Sequence, residues 1–222
     1  MPWSPLGRDF FDRPAPEVAP ALLGCVLEHE TQEGVVAVEL TEVEAYAGQV
    51  DPASHAYRGM TARNAVMFGP PGYAYVYFSY GMHFCMNVVC LPEGTANAVL
   101  LRAGRVIAGE ELARSRRTMR RPAAQAPLRL LPARELARGP ARLCQALGVD
   151  RALNGADLCD PASPLRLRGG ERGVPAGEEL TISAGPRVGV SAAADTNWRF
   201  WLDGEPTVSA YRAHKARTRS VT

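Results

Sequence analysis

The segment at residues 35–46 constrains the fold more than any other part of the sequence, because its apolar and β-branched residues predict a long β-strand. A strand places alternate side chains on one face, which groups six residues of this segment: Val36, Val38, Leu40, Glu42, Glu44 and Tyr46. Burying a carboxylate costs several kcal/mol unless a partner compensates, so an apolar face that ends in two carboxylates is unusual. We therefore interpret Glu44 as a functional residue.

Turn signals and apolar patterns predict the remaining elements. A partner strand at 22–28 joins the long strand through a turn at 31–34, and a hairpin at 73–89 turns at Ser79-Tyr80-Gly81. Further strands are predicted at 98–102, 180–183, 188–190 and 198–202, and helices at 109–121 and 140–147. The segments between them are predicted as an irregular, proline-rich lead-in over 1–20 anchored by Phe10 and Phe11, a long ordered loop over 47–72 and a flexible basic loop over 122–138.

These elements predict a single α+β domain over residues 1–222, with a curved, mainly antiparallel β-sheet flanked by helices and long loops. We expect flexible ends at residues 1–5 and 212–222. Because 46% of the residues are hydrophobic, the chain has enough material for a core without disulfides or metal staples.

Several classes of protein are excluded by what the sequence lacks. The longest apolar runs are far shorter than the roughly 18 residues of a membrane span, so we expect no membrane association. The start of the sequence has no basic region followed by an apolar one, so we expect a cytoplasmic protein, in a bacterial-type cytosol or nucleoid. The five cysteines contain no CxxC pair, so we expect reduced thiols and no metal site.

Positive charge is concentrated in one part of the chain. The net charge is only +2, but residues 102–142 hold eleven arginines against three acids, and residues 212–219 add four more basic side chains. A basic face is typical of proteins that contact phosphates or nucleic acid, although an ordinary solvated surface gives the same pattern. Lys215 is the only lysine, which leaves few places for Schiff-base chemistry.

A carboxylate, several aromatic residues and a loop histidine together point to nucleobase chemistry. Aromatic faces such as those of Tyr46, Tyr77 and Tyr80 stack on bases, and a carboxylate such as Glu44 among apolar walls can act as a general base toward water. The alternative is that these aromatic residues belong to the core, as aromatic residues on strands usually do. Tyr80 and Met82 flank Gly81 at a turn, where small polar residues are usual, so we interpret them as side chains that meet a partner.

A series of ordered motifs runs through most of the chain. They are Glu42-Val43-Glu44-Ala45-Tyr46-Ala47-Gly48, His55, Arg63-Asn64, Met67-Phe68, residues 75–87, residues 99–103, residues 139–147, residues 187–190 and Trp198-Arg199-Phe200. In this order and spacing they resemble the alkyladenine (3-methyladenine, methylpurine) DNA glycosylase family over nearly all of residues 6–209. The resemblance departs at His83, where some relatives have tyrosine.

The resemblance implies a base excision repair enzyme that flips an alkylated or deaminated purine out of duplex DNA and hydrolyses its N-glycosidic bond. Flipping costs a few kcal/mol of stacking and pairing, and least for a damaged base. Glu44 then matches the general base that activates water, and Arg102 matches the residue that positions water and carboxylate; a phosphate contact or a structural ion pair is the alternative for Arg102. The implied substrates are 3-methyladenine, 7-methylguanine, hypoxanthine and ethenoadenine, without a ranking.

The resemblance also assigns the base pocket and the DNA contacts. Tyr46 and Tyr77 match the rings that sandwich the flipped base, and His55 matches the residue that closes the pocket, partly through its main-chain amide. Asn87 matches the residue that disfavours guanine through its 2-amino group, and Leu100 matches the pocket floor; a strand amide and a plain core residue are the alternatives. The intercalating wedge corresponds to Tyr80 with Met82 beside it, and we expect backbone contacts from three arginines: Arg63, Arg142 and Arg199.

The expected protein is a monofunctional, monomeric enzyme that acts on double-stranded DNA with damaged purines and needs neither cofactor nor metal. Three alternatives remain open. The amine of Pro2, freed by processing of Met1, could act as the nucleophile of a glycosylase/lyase. A lesion binder without catalysis would keep the wedge and the basic face. An enzyme on free nucleosides would need neither of them.

Overall fold

A curled antiparallel sheet that forms a half-barrel organises the fold in a computed structural model, which describes residues 5–79, 81–118, 131–169 and 181–213. Its eight strands among the described residues are β1 Val26–Thr31, β2 Gly34–Tyr46, β3 Ala74–Ser79, β4 His83–Cys90, β5 Asn97–Ala108, β6 Leu165–Arg168, β7 Ile182–Gly185 and β8 Arg199–Leu202. They follow the order β3-β4-β5-β2-β1-β6, and β8 pairs with both β2 and β7. Together with the helices, this arrangement confirms the predicted α+β fold class.

Four α-helices and four short 3₁₀ helices flank the sheet in the described part of the chain. The α-helices are α1 Arg8–Phe11, α2 Ala15–Ala21, α3 Glu110–Thr118 and α4 Pro140–Leu147; the 3₁₀ helices are Gly48–Val50, Ala65–Phe68, Ala133–Glu135 and Arg151–Leu153. The helices α1 and α2 show that the prediction of an irregular lead-in over 1–20 was wrong. A proline in the first turn of a helix removes an N–H that has no helical partner, so Pro16 is compatible with α2. Phe11 is fully buried and Phe10 packs against the core, as predicted.

The strand β2 lies at the centre of the sheet and changes its neighbour halfway along. Its first half pairs with β1 and its second half with β8, while β5 runs along its other edge. The register between β2 and β5 shifts on each side of Glu42, so that Thr41 on β2 and Arg102 on β5 have no opposite residue. Such β-bulges bend a strand and reorient its side chains, often beside functional sites.

The bulge overturns the prediction that six alternate residues of β2 share one face. The core contains Val36, Val38 and Leu40, and then Val43 and Ala45, so its apolar face moves from even to odd positions at Thr41. The carboxylates of Glu42 and Glu44 therefore lie on the face opposite Val43 and Ala45 rather than at the end of an apolar row.

The two faces of the sheet have different partners. One face packs against α2 and α4, and the β2, β4 and β5 residues on it form a continuous hydrophobic core. On the other face, the register places Tyr75, Asn87, Leu100 and Glu44 in one row across β3, β4, β5 and β2. Directly opposed residues share a face, so this row is the base of a polar and aromatic surface.

Several predicted element boundaries need correction. The first strand begins at Val26 instead of Leu22, which caps the C-terminal end of α2. The strand β5 continues to Ala108 instead of ending at Arg102, because its second half pairs with β2 even though the last residues of β5 are largely exposed. The strand predicted at 188–190 is a turn, in which Gly189 has φ +71°. The strand β6 was not predicted at all.

The predicted flexible loop at 122–138 is ordered where the structure describes it. Leu136 and Ala137 are fully buried, and Arg138 forms a bridge with Ala103 of β5. The rest of this loop, the end of the predicted helix at 109–121, residues 1–4 and residues 214–222 lie outside the described residues.

All five cysteines are free thiols in this structure. Within the described ranges, no helix has the length and apolar character that crossing a membrane requires. The same ranges contain no cluster of three histidine, cysteine or acidic residues arranged to hold a metal ion.

Candidate active site

A pocket of about 380 Å³ opens on the polar and aromatic face of the sheet, within the range of small-molecule sites. The structure brings eight of the predicted site residues together in its lining: Glu44, Tyr46, His55, Arg63, Tyr77, Asn87, Leu100 and Arg102. Six of them are on strands, and their placement follows from the register, because alternate residues of β2, β3, β4 and β5 face the same side. The other two, His55 and Arg63, lie on the loop over 47–72.

Glu44 is fully buried, and both of its carboxylate oxygens are held. The backbone N–H of Val188 donates to Oε1 at 2.7 Å, Arg102 Nη1 lies 3.1 Å from the same oxygen, and the Tyr46 hydroxyl donates to Oε2 at 2.9 Å. These three contacts fix the orientation of the carboxylate, which also lines the pocket. This arrangement can present a carboxylate to a water molecule in the pocket.

Glu42 forms a second, fully buried cluster beside Glu44. Its Oε1 accepts hydrogen bonds from Arg102 Nε at 2.8 Å and Arg199 Nε at 2.7 Å, and its Oε2 accepts one from the Ser209 N–H at 2.7 Å. Burial alone would raise the pKa of Glu42, but Arg102, Arg199 and the Ser209 amide outweigh it and lower the pKa. Arg102 therefore bridges Glu42 and Glu44, and these two carboxylates outweigh its desolvation and raise its own pKa.

Aromatic rings form the walls of the pocket. Tyr75 and Tyr77 stack with centroids 5.5 Å apart, and the His55 ring meets Tyr77 edge-on at 4.6 Å. Burial, with the charge of Glu44, raises the pKa of Tyr46 well above its ordinary value, and burial with the neighbouring Cys85 does the same for Tyr77. Both phenols are therefore neutral at physiological pH.

His55 lies on the loop over 47–72, where its Nδ1 is 3.3 Å from the Tyr75 hydroxyl. Desolvation by the surrounding groups and repulsion by Arg63 lower the pKa of His55. A neutral imidazole keeps one nitrogen as an acceptor. The site thus offers an uncharged edge beside the rings.

Asn87 and Leu100 occupy the centre of the row across the sheet. They are opposite each other in β4 and β5, and each is only 5% exposed. The Asn87 side-chain amide donates to the Tyr75 carbonyl at 3.3 Å, which fixes its orientation. Both side chains therefore form a rigid pocket floor.

The hairpin between β3 and β4 carries an exposed apolar side chain beside the pocket. Met82 is 64% exposed, and Gly81 has φ +67° at the turn, as predicted. Tyr80, the predicted wedge, lies outside the described residues. Arg63 is exposed at the pocket and donates to the Phe78 carbonyl at 3.4 Å.

The structure argues against one predicted DNA-backbone contact. Arg199 is only 4% exposed, and its guanidinium binds Glu42 and the Ser209 carbonyl, so it faces the interior. Arg142 is outside the pocket lining; its side chain is 45% exposed and pairs with Glu135. Arg199, whose side chain is bound to the buried Glu42 carboxylate, is therefore not available to a phosphate, whereas Arg142 remains at the surface.

Two residues to which the sequence analysis assigned no role complete the site; one of them, Arg187, belongs to the motif at 187–190. Arg187 and Asp51 are each 1% exposed and form a two-pronged ion pair, with Nη1–Oδ2 at 2.5 Å and Nη2–Oδ1 at 2.9 Å. The Arg187 guanidinium also lies 4.7 Å from the Tyr46 ring centroid and 5.3 Å from that of Trp198. Arg187 and Asp51 are 136 positions apart in the sequence, so no local sequence pattern could connect them.

Comparison of the sequence with known proteins places this chain in a family. The sequence model of the family described as "Methylpurine-DNA glycosylase (MPG)" matches residues 9–206. The chain belongs to this family, which confirms the resemblance drawn from the motifs.

Similar proteins cover nearly the whole chain. A protein of Streptomyces avermitilis is 56% identical over 97% of this chain and 96% of its own length. A protein of Leifsonia xyli subsp. xyli is 51% identical over 95% and 94%, and one of Frankia casuarinae is 51% identical over 94% and 94%. All three carry the name "Putative 3-methyladenine DNA glycosylase".

Proposed function

We propose that this protein is a monofunctional DNA glycosylase that excises alkylated and deaminated purines from double-stranded DNA during base excision repair. The observation that carries the proposal is the buried Glu44 carboxylate, oriented by the Val188 amide, Arg102 and Tyr46 inside an aromatic pocket. Membership of the methylpurine-DNA glycosylase family and the names of the relatives support 3-methyladenine as one substrate.

In the proposed reaction Glu44 is the general base. It takes a proton from a water molecule whose oxygen bonds to C1′ of the sugar, and the electron pair of the C1′–N bond leaves with the purine. The negative carboxylate also stabilises the positive charge that develops on the sugar. Arg102, held between Glu42 and Glu44, keeps the carboxylate and the water in line.

The flipped base occupies the pocket between Tyr46 and Tyr77. Stacking accepts any purine, which suits a broad range of lesions. His55 closes the pocket and offers its main-chain amide to the base edge, and Leu100 supports the base from below. Asn87 excludes guanine, because its side-chain amide occupies the space that the 2-amino group needs.

The hairpin at 79–83 meets the duplex. Tyr80 fills the gap that the flipped nucleotide leaves, with the exposed Met82 beside it. Arg63 and Arg142 contact the DNA backbone, and the protein acts as a monomer.

Single-turnover excision tests this proposal. Duplexes that each carry one of the four lesions are incubated with excess wild type or Glu44→Gln, and abasic sites are cleaved with alkali for detection. We expect abasic product from wild type alone, with lesion binding retained by Glu44→Gln. Product formed equally by both proteins would remove Glu44 from its role, and binding without product on every lesion would indicate a non-catalytic lesion binder.

Borohydride trapping separates hydrolysis from lyase chemistry. A water mechanism forms no imine, so we expect no covalent protein–DNA adduct on damaged duplex. An adduct that disappears when the N-terminal amine is blocked would assign the reaction to Pro2.

A further inference from the structure

We propose that Arg187 is a positioning residue that sets both the orientation of the Glu44 carboxylate and the plane of the Tyr46 ring. The inference rests on the proposed function and adds a residue to it. Arg187 does not line the pocket, so it acts through the groups that do.

The first step of the argument is that Arg187 fixes the backbone of β2 at the site. Its Nη1 donates to the carbonyl of Ala45 at 3.0 Å, and Ala45 is the residue between Glu44 and Tyr46. One guanidinium therefore holds the peptide from which both functional side chains project.

The second step is that Arg187 contacts or adjoins two of the three groups that hold the Glu44 carboxylate, which are the Val188 N–H and the Tyr46 hydroxyl. The Val188 N–H that binds Glu44 Oε1 belongs to the next residue in the chain. The hydroxyl that binds Oε2 belongs to Tyr46, whose ring lies 4.7 Å from the Arg187 guanidinium. A shift of Arg187 therefore moves a donor at each carboxylate oxygen.

The third step is that Arg187 itself is held from three directions. Asp51 binds it through two parallel hydrogen bonds, and the rings of Tyr46 and Trp198 both lie within cation–π distance of it. Asp51 also accepts hydrogen bonds from the N–H groups of Ala47 and Ala53, so the pair ties the loop over 47–72 to the same point. Lysine would keep the charge but lose the planar, two-pronged geometry.

The test measures chemistry and binding separately in Arg187→Lys and Asp51→Asn. The rate constant comes from single-turnover excision at saturating enzyme, and the Kd comes from a duplex that carries a tetrahydrofuran abasic analogue, which has no base to stack on Tyr46. We expect Arg187→Lys to lower the rate constant by about 10²-fold, because small misplacements of reacting groups have effects of this size. We expect a smaller loss of the same kind for Asp51→Asn and a Kd within about threefold of wild type for both.

Arg8→Lys is the matched control, because Arg8 pairs with Asp157 on the surface and does not line the pocket. It should leave both quantities unchanged, and circular dichroism should show a folded protein in every case. If Arg187→Lys does not fold, the measurements on Asp51→Asn test the proposal, since asparagine keeps the shape of the Asp51 side chain. Normal excision by the variants, or a Kd that weakens in parallel with the rate, would overturn the role of Arg187. Absence of product from wild type would overturn the proposed function instead.

Discussion

Glu42 and Glu44 lie two positions apart on β2, yet their surroundings assign them different tasks. Glu44 lines the pocket, whereas Glu42 binds Arg102, Arg199 and Ser209 in the interior. We expect Glu42→Gln to lower the free energy of unfolding by about 3–5 kcal/mol, because it leaves the buried guanidinium groups without their shared counter-charge. Urea denaturation measures the loss.

The control for this prediction is Glu33→Gln. The Glu33 side chain is 62% exposed, and its pair with Arg116 is a surface contact, so its loss should cost about 0–1 kcal/mol. Equal effects of the two substitutions would show that burial does not make the Glu42 cluster essential for stability.

His29 makes stability depend on pH. It is 7% exposed, its Nδ1 lies 2.8 Å from the Leu147 carbonyl, and burial, together with repulsion by Arg116, lowers its pKa below 6.5. The unfolded chain then binds a proton near pH 6.5 that the folded protein does not bind, so stability falls as pH decreases through this value.

Urea denaturation at pH 7.5 and pH 5.5 tests this, with His29→Gln as the comparison. We expect the variant to lose less stability than wild type over this interval. The lowered pKa of Glu42 acts in a separate window, below pH 4.5, because its contribution is lost only when the carboxylate is protonated. An identical pH dependence in the variant would contradict the assignment to His29.

The bulged pairing of β2 and β5 depends on a close approach at Gly104. A Cβ at this position would overlap the Val38 side chain and the Glu39 carbonyl, next to the register shift. We expect Gly104→Ala to lower the free energy of unfolding by about 1–3 kcal/mol through overpacking. Gly169→Ala is the control, since a Cβ there meets no atom within 4 Å, and thermal unfolding of both variants should separate them.

The same element shows where the sequence is informative and where it is not. Alternation predicts β2 itself, but alternation assumes an unbroken strand, so it cannot place the change of face at Thr41. Val188 and Val190 favour a strand by residue type, yet the backbone turns at Gly189 to bring the Val188 amide to Glu44. Tertiary contacts override local preference at both places.

The candidate site divides in the same way. Glu44, Tyr46 and Tyr77 were found from strand periodicity and motif resemblance, and the structure places them in one pocket. Asp51 and the role of Arg187 were missed because the significance of both residues lies in a contact between distant segments, and single ionic residues in a sequence are usually at the surface. Arg199 was expected to contact the DNA backbone, and its position in the interior likewise depends on a contact with the distant Glu42.

At the scale of the whole molecule, ion pairs reduce the basic character of the segment 102–142. Among the residues of this segment that the structure describes, at least six arginines pair with acidic residues: Arg102, Arg105, Arg114, Arg116, Arg138 and Arg142. The positive charge available to DNA from this segment is therefore smaller than the count of its arginines.

Salt dependence of duplex binding tests how many phosphates the protein contacts. Each neutralised phosphate weakens binding about 3.5-fold between 50 and 200 mM salt, so the two contacts proposed for Arg63 and Arg142 predict about a 12-fold change. Fluorescence anisotropy measures the Kd of wild type and of Arg63→Gln at each salt concentration. The slope of log Kd against the logarithm of the salt concentration should be smaller in the variant by the amount expected for about one phosphate contact. Salt-independent turnover of inosine would favour an enzyme on free nucleosides.

The Ser209 contact also determines when the site can exist during protein synthesis. Glu42 is synthesised 167 residues before Ser209, whose backbone amide binds it. Arg199, the other partner of Glu42 that is synthesised late, precedes Ser209 by 10 residues. A nascent chain therefore carries the carboxylates for most of translation, and Arg102 for about half of it, without the groups that complete their hydrogen bonding. The carboxylates gain their final partners only when translation of this region is finished, so a ribosome-bound fragment that stops before Ser209 holds an incomplete site.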